Sequence, residues 1–376
     1  MEETKAKGNC FKEPAGLSRA REDIISELPD SLISEILSYL PTKEAVRTCV
    51  LSNRWKSVWL LIPGLDLISS MFPNYNAFVS TIDRFLDSSR KENSCLHKLK
   101  LSIIKDENDQ SCVPRWVDFV ATRKLKHLDV QYLLMKRQCL EVMPLSLYIC
   151  ETLLYLRLYK VSLGRFECVS LPCVKTMRLE NNLYVNDACL ESLISSCPVL
   201  EDLIFVKRYK DDNVKVLRVH SQRLTSLSIE VGMCQDDYEY SGFIIDAPRL
   251  KFLNIQDATS KNKTISNPGS LISVNIYRST DISANEVNFF TSLSGVRNMK
   301  ITWGIFANFR TSFMSTRMSL TTVPPCLRSS LEFVEIERNQ GLDKSLCESS
   351  NVLCRELSNF EETCSTFRSF RRRFYE

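Results

Sequence analysis

Histidine and glycine are scarce in this 376-residue chain, at three and ten residues. His97, His127 and His220 stand far apart, and no two of the fifteen cysteines form a C-x-x-C pair. Zinc sites need paired ligands at short spacing, so metal binding is not expected. The G-x-S-x-G, G-x-x-x-x-G-K, H-E-x-x-H and G-x-G-x-x-G signatures are all missing, which leaves no motif for hydrolytic, nucleotide or metalloprotease chemistry. No catalytic residue and no cofactor is therefore expected. No apolar run approaches the roughly 18 residues that a membrane helix requires. The start, "MEETKAKGNCFKEPAGLSRARED", lacks the apolar core of a signal peptide. The expectation is a cytoplasmic or nuclear protein with reduced thiols, its cysteines serving as small core residues. A net charge of +4 is too small to indicate a nucleic-acid partner.

What the chain does contain is a repeat. After residue 95 the pattern L-x-x-L-x-L, with aliphatic substitutes, starts at Leu96, Leu125, Leu153, Val174, Leu200, Leu224, Leu250, Leu271, Val296 and Leu331. The intervals of 29, 28, 21, 26, 24, 26, 21, 25 and 35 residues lie mostly within or close to the period of leucine-rich repeats. Pro172, Pro198 and Pro248 each stand two residues before a core, as copies of one unit would. In each core the fourth and sixth positions alternate with polar ones, as a strand with one buried face requires. The return segment "NDACLESLISSCPVLEDL" places Leu190, Leu193, Ile194 and Cys197 at helical spacing. One unit cannot bury its apolar face alone, whereas stacked units share a core. The motif's usual asparagine occurs at Asn182, but its equivalents are Leu133, Val161, Arg208 and Gly232. An irregular solenoid is expected, with "KDENDQ", "KRYKDDNVK", "CQDDYEYSG" and "DATSKNKTISNPGS" as loops.

Ahead of the repeats, "LPDSLISEILSYLPTKEAVRTCVLSNRWKSVW" reads as three short helices. The first enters after Pro29 with Asp30 or Ser31 at its start, and carries Ile33, Ile36, Leu37 and Leu40 at three- and four-residue steps. Pro41 ends it, and Thr42 is a candidate cap for the second helix. Ser52 or Asn53 is a candidate cap for the third, where Trp55 and Trp59 stand four apart on one face. Either the tryptophans belong to an internal core, or part of this apolar surface is shared with a second protein. Three short helices seldom absorb so much of it, and interfaces favour aromatic anchors.

The pieces "LP", "ILSYLPTKEAV" and "LSNRWKSVW" resemble, in order and spacing, an F-box of the plant proteins that join F-box, leucine-rich repeats and a C-terminal FBD segment. "VPPCLRSSLEFVEIE" resembles the opening of the FBD segment; the strand-like remainder of that segment is not recognisable downstream. The fold so implied is α/β: a short helical F-box, then an irregular leucine-rich-repeat solenoid with a parallel concave sheet. The expected divisions are a disordered tail at 1–21, F-box helices at 22–68 and the solenoid at 69–318. Residues 319–376 would hold a divergent or truncated FBD-like segment with a basic tail at Arg371–Arg373.

The resemblance implies a non-catalytic substrate receptor of an SCF-type cullin–RING ubiquitin ligase. Its F-box would dock on a Skp-type adaptor, and through it a cullin, by way of Leu28, Pro29, Ile33, Leu37, Leu40, Val50, Leu51 and Trp55. The repeats would hold the protein to be ubiquitinated. The residues that alternate with the buried strand positions would line the concave face, notably Tyr155, Arg157, Tyr159, Arg178, Glu180, Phe252, Asn254, Tyr277 and Lys300. Ten strands span roughly 45 Å, a scale that suits a protein partner. The alternative is a repeat scaffold whose F-box no longer serves a ligase.

Overall fold

The computed structural model describes residues 24–91, 96–106, 108–133, 140–165, 167–207, 213–232, 242–257, 262–277, 295–302, 332–337 and 369–373, with single positions at Ser260, Phe289 and Leu293. The expected tail at 1–21 lies outside them, as does most of the FBD-like segment. The chain divides into two compact units, up to Ile62 and from Pro63 onward.

The first unit contains α1 (Ile24–Glu27), α2 (Asp30–Ser38), α3 (Thr42–Arg47) and α4 (Trp55–Val58). Pro29 and Pro41 precede α2 and α3 in extended conformation, at ψ 148° and 142°, so each proline turns the chain just where a helix starts. Thr42 is the first residue of α3 and Arg54 precedes α4, so Thr42, Ser52 and Asn53 are not the caps expected of them. The Arg54 Nε donates to Asp30 Oδ1 at 2.8 Å, and its guanidinium also bonds the Leu28 carbonyl. One arginine thus holds the start of α2 against the entry to α4.

In the second unit all ten repeat cores are strands of one parallel sheet. They are β2 (Lys98–Ile103), β3 (His127–Tyr132), β4 (Tyr155–Tyr159), β6 (Thr176–Glu180), β8 (Asp202–Lys207), β10 (Ser226–Val231), β12 (Phe252–Asp257), β14 (Ser273–Tyr277), β15 (Asn298–Thr302) and β16 (Phe333–Glu337). Two further strands, β1 (Gly64–Ile68) and β17 (Ser369–Arg373), flank them, making a twelve-stranded sheet in chain order. Residues Gly64–Ile68 were grouped with the helices by the sequence reading but pair with β2. The basic run Arg371–Arg373, expected as a tail, is backbone-paired to β16.

The register is constant across the sheet. Leu99, Leu128, Leu156, Met177, Leu203, Leu227, Leu253, Val274 and Met299 form one buried column, each paired with the next. Fully burying each such side chain contributes about 1.5–3 kcal/mol, and stacking lets every repeat share that burial with its neighbours.

Behind the sheet the chain returns in two ways. In the earlier repeats it uses α5 (Tyr75–Lys91), α6 (Val113–Ala121), a 3-10 turn at Leu145–Ile149 and α7 (Asp187–Ser195). As expected from its spacing, α7 buries Leu190, Leu193 and Ile194, with Cys197 buried just beyond. The Asn186 Oδ1 caps it by accepting the Cys189 N–H at 2.9 Å. Later repeats return as strands: β9 (Val216–His220), β11 (Gly242–Asp246) and β13 (Asn262–Ser266) make a second parallel sheet. The segment "DATSKNKTISNPGS", expected as a loop, therefore contains a strand, because Ile265 is buried in that outer layer. A short pair, β5 (Ser162–Leu163) with β7 (Leu183–Tyr184), precedes α7 in sequence.

Two polar devices sit within the solenoid. The buried Asn182 accepts the Val161 N–H at 3.0 Å and donates to the Leu158 carbonyl at 2.9 Å, satisfying backbone groups where β4 gives way to β5. Elsewhere the Tyr132 hydroxyl donates to Glu141 Oε2 at 2.6 Å, and Lys105 pairs with the same buried carboxylate. The burial and the Glu141 charge together hold the Tyr132 hydroxyl far above its ordinary pKa, so it stays a donor.

Candidate functional site

Two surfaces answer to the residues singled out from the sequence. The first is on the helical unit. Apolar residues of α2 and the two residues after it fall on two stripes rather than one: Ile33 and Leu37 are 0% and 1% exposed, while Leu32, Ile36, Tyr39 and Leu40 are exposed. The inner stripe faces the unit's own core, where α2 packs with α3, α4 and the 3-10 turn at Trp59–Leu61. Trp55 is buried too, at 4%. Ile33, Leu37 and Trp55 are thus core residues of the unit and offer no exposed surface. Of the other expected contacts, Leu28 is half-buried and Pro29, Leu40, Val50 and Leu51 are exposed, Val50 by 88% and Leu51 by 63%.

The residues that sequence reasoning passed over are Leu32, Ile36 as a separate stripe, and Tyr39. The signal was present, since positions 32, 36, 39 and 40 repeat at helical spacing alongside 33 and 37. A short helix that is apolar on both stripes leaves one of them uncovered within its own unit. Isolated exposed apolar residues are ordinary, but Leu32 and Ile36 on the helix, Tyr39 and Leu40 just after it, and Val50 and Leu51 nearby in sequence are six in a short stretch.

The second surface is the open face of the large sheet. All nine expected residues stand on it, at positions alternating with the buried ones: Tyr155, Arg157 and Tyr159 on β4, Arg178 and Glu180 on β6, Phe252 and Asn254 on β12, Tyr277 on β14 and Lys300 on β15. Phe252 is the most open of these aromatics. Three earlier strands also contribute, which the sequence reading left out: Asp66 of β1, Lys98 and Lys100 of β2, and His127 and Asp129 of β3. The same offset within the repeat would have found them from Lys98 onward.

The two halves of this face differ. Towards β1 it is charged and interlocked. Lys98 and Lys100 both reach Asp66 Oδ2 at 3.2 Å. Arg157 makes a two-point contact with Glu180, Nε to Oε1 at 2.9 Å and a terminal nitrogen to Oε2 at 3.1 Å, with Asp129 at 4.0 Å. The Glu180 hydrogen bond raises the Arg157 pKa further, so this guanidinium is always charged. Burial pushes the Asp129 carboxyl up, against the pull of its Gln131 hydrogen bond and of Arg157. His127 stacks flat on Tyr155, with ring centroids 4.1 Å apart and planes within 1°. Towards the later strands the face carries Ser226, Ser228, Asn254, Ser273 and Asn275, with the Asn254 amide donating to Ser228 Oγ at 3.0 Å. Lys300 lies 5.7 Å from the Tyr277 ring centroid and 3.8 Å from Glu335.

Among the described residues no group of three His, Cys, Asp or Glu side chains is placed to hold a metal, and no helix is long and apolar enough to cross a membrane.

Comparison with known proteins bears on both surfaces. Residues 113–323 match the family described as FBD-associated F-box protein At5g56370, LRR repeats. Residues 25–63, which hold the first surface, match the F-box domain. The chain is 50% identical over 384 residues to the FBD-associated F-box protein At5g44490 of Arabidopsis thaliana, covering 86% of this chain and 80% of that one. It is 57% identical over 300 residues to the FBD-associated F-box protein At5g22730 of the same plant, covering 75% and 64%. With the F-box/FBD/LRR-repeat protein At5g22700, also from Arabidopsis thaliana, the identity is 41% over 296 residues, covering 75% and 67%.

Proposed function

We propose, since the chain belongs to the family of FBD-associated F-box proteins with leucine-rich repeats, that it is the substrate-recognition subunit of an SCF-type cullin–RING ubiquitin ligase. The helical unit docks on a Skp-type adaptor and through it a cullin, and the solenoid holds the protein to be ubiquitinated. Ubiquitin transfer is left to other subunits of the assembly.

The observation that carries this reading is the second apolar stripe of α2 and its C-terminal end, Leu32, Ile36, Tyr39 and Leu40, together with Val50 and Leu51. Apolar anchors that a unit leaves uncovered are what a partner groove buries, and a few such residues supply most of an interface's affinity. The dividing of α2 into a core stripe and a free stripe also explains why one short helical unit carries more apolar residues than its own interior can take.

The test is co-purification of the full chain with a Skp-type adaptor. Wild type is compared with a Val50→Asp/Leu51→Asp double variant and with Leu28→Ala/Pro29→Ala. Capture by the wild type, lost in the first variant while its thermal melt is unchanged, is the expected result. Failure of a folded wild type to capture the adaptor would sink the ligase reading and leave a repeat scaffold with an F-box that serves no ligase.

A further inference from the structure

In the middle row of the open face, Arg157 of β4 stands directly opposite Arg178 of β6, and Arg178 opposite Ile204 of β8. Like charges directly opposite each other disfavour a pairing, unless something neutralises them. Arg157 is neutralised twice over, by Glu180 and by Asp129. Arg178 is not. Among the described residues no carboxylate lies within 4.0 Å of it, and its buried Nε has no hydrogen-bond partner. Glu180, on the same strand and the same face, is already held at two points by Arg157. The fold thus spends its nearest acids on one arginine and leaves the other with an unmet demand for an anion.

The row continues through Ile204 and Ser228 to Asn254. Asn254 Nδ2 is taken by Ser228, while Asn254 Oδ1 is buried without a partner. Three strand spacings, about 14 Å, separate Arg178 from Asn254. An extended peptide covers that distance in about four residues. Between them Ile204 and, one row over, Val206 make the one aliphatic step on this part of the face.

We infer that this row is the recognition track for an extended segment of the bound protein that carries one acidic residue, with its Asp or Glu side chain seated on the Arg178 guanidinium. An apolar residue lies over Ile204, and a hydrogen-bond donor about four residues from the acid meets the Asn254 amide. A planar guanidinium pairs with a carboxylate through two parallel hydrogen bonds, which fixes orientation as well as affinity. A phosphate or a polyanion would be served less well, because the paired Glu180 and Asp129 carboxylates flank the site and repel excess negative charge. The inference rests on the substrate-receptor reading and names the chemistry of what is received.

The experiment uses the purified full chain and two pools of fluorescein-labelled octapeptides, random at every position except one central residue fixed as Glu or as Gln. Binding is followed by fluorescence polarisation. The Glu pool is expected to bind about tenfold more tightly than the Gln pool, as one charge-assisted contact would give. Arg178→Gln should erase that preference and Arg178→Lys should keep part of it, with thermal melts matching wild type in both. Because Arg178 makes no ion pair of its own, its removal leaves no acid stranded in the fold. Equal binding of the two pools, binding of neither up to about 1 mM, or a preference that survives Arg178→Gln would each overturn the inference. Adaptor capture, measured separately on the same preparations, keeps the two proposals apart. Capture without an acid preference sinks only this one, and an acid preference without capture sinks only the ligase reading.

Discussion

Asn182 reaches into the preceding repeat and holds Val161: its Oδ1 accepts the Val161 N–H while its Nδ2 donates to the Leu158 carbonyl, all three groups being buried. Replacing it by alanine strands an N–H and a carbonyl away from water, at about 1–3 kcal/mol for each group. Asn182→Ala should therefore lower the urea midpoint clearly, and Asn182→Asp should lower it as well, since a carboxylate cannot donate to Leu158. An unchanged midpoint in Asn182→Ala would show that water or a shifted backbone replaces the amide.

The two stripes of α2 predict opposite phenotypes. Ile33→Ala, inside the core, should cost about 2–5 kcal/mol of stability. Ile36→Ala, on the exposed stripe, should stay within about 0.5 kcal/mol of wild type while weakening adaptor capture. Chemical denaturation beside a capture assay reads both.

His127 gives a pH signature. Its pKa lies below the ordinary value of 6.5 because of burial first and the Lys98 charge second, with Asp129, Asp66 and Lys100 also facing it. His97 is shifted the same way by burial and by Lys126 and Lys124. Below pH 6.5 the unfolded chain binds protons that these imidazoles refuse, so their contribution is fully present above that value. It declines as pH falls through the folded pKa. Stability should thus drop on mild acidification, and His127→Gln should flatten part of the slope. Urea midpoints between about pH 5.5 and 7.5, above the range where carboxylates dominate, would check this.

Gly242 opens β11 at φ +133°, and a Cβ there would sit 1.6 Å from the Asn262 carbonyl oxygen. Both the backbone angle and the close pairing with β13 demand glycine. Gly242→Ala should destabilise the outer sheet by at least about 2 kcal/mol. Faster hydrogen exchange confined to β9, β11 and β13 would be the readout, and wild-type protection there would refute it.

The main sheet was legible because its signal repeats: a leucine or another apolar residue at fixed places in ten units outweighs any local ambiguity. The first strand carries the same signal, with Ile62, Leu65 and Leu67 in the L-x-x-L-x-L positions. It was missed because the preceding helices claimed those residues. The outer strands were harder. Leu217 and Val219, or Phe243 and Ile245, alternate as strand residues should. Yet each run is short and bordered by polar residues, and a helical return was the expectation. For the helical unit, composition revealed an excess of apolar residues without saying which stripe goes inside. That depends on how α3 and α4 pack, which helical spacing alone does not contain. On the open face, the positions followed from the repeat, but the pairing of Arg157 with Glu180, and so the isolation of Arg178, is a matter of geometry.

The alternation of main and outer strands from β8 to β14 has a hereditary consequence. Each strand there pairs only with counterparts in the adjacent turns, in an unchanging register, β9 and β13 being the edges of the outer sheet. Excising residues 226–251 would bring Leu253 opposite Leu203 and Ile255 opposite Phe205, while outside it Ile265 would meet Val219. Inside would still face inside. A gene that lost or duplicated one such turn by unequal recombination would encode a receptor with its interior intact and its contact face shortened or lengthened by about 4.8 Å, so novelty in what is gripped can arise in a single step that leaves the fold's grammar untouched.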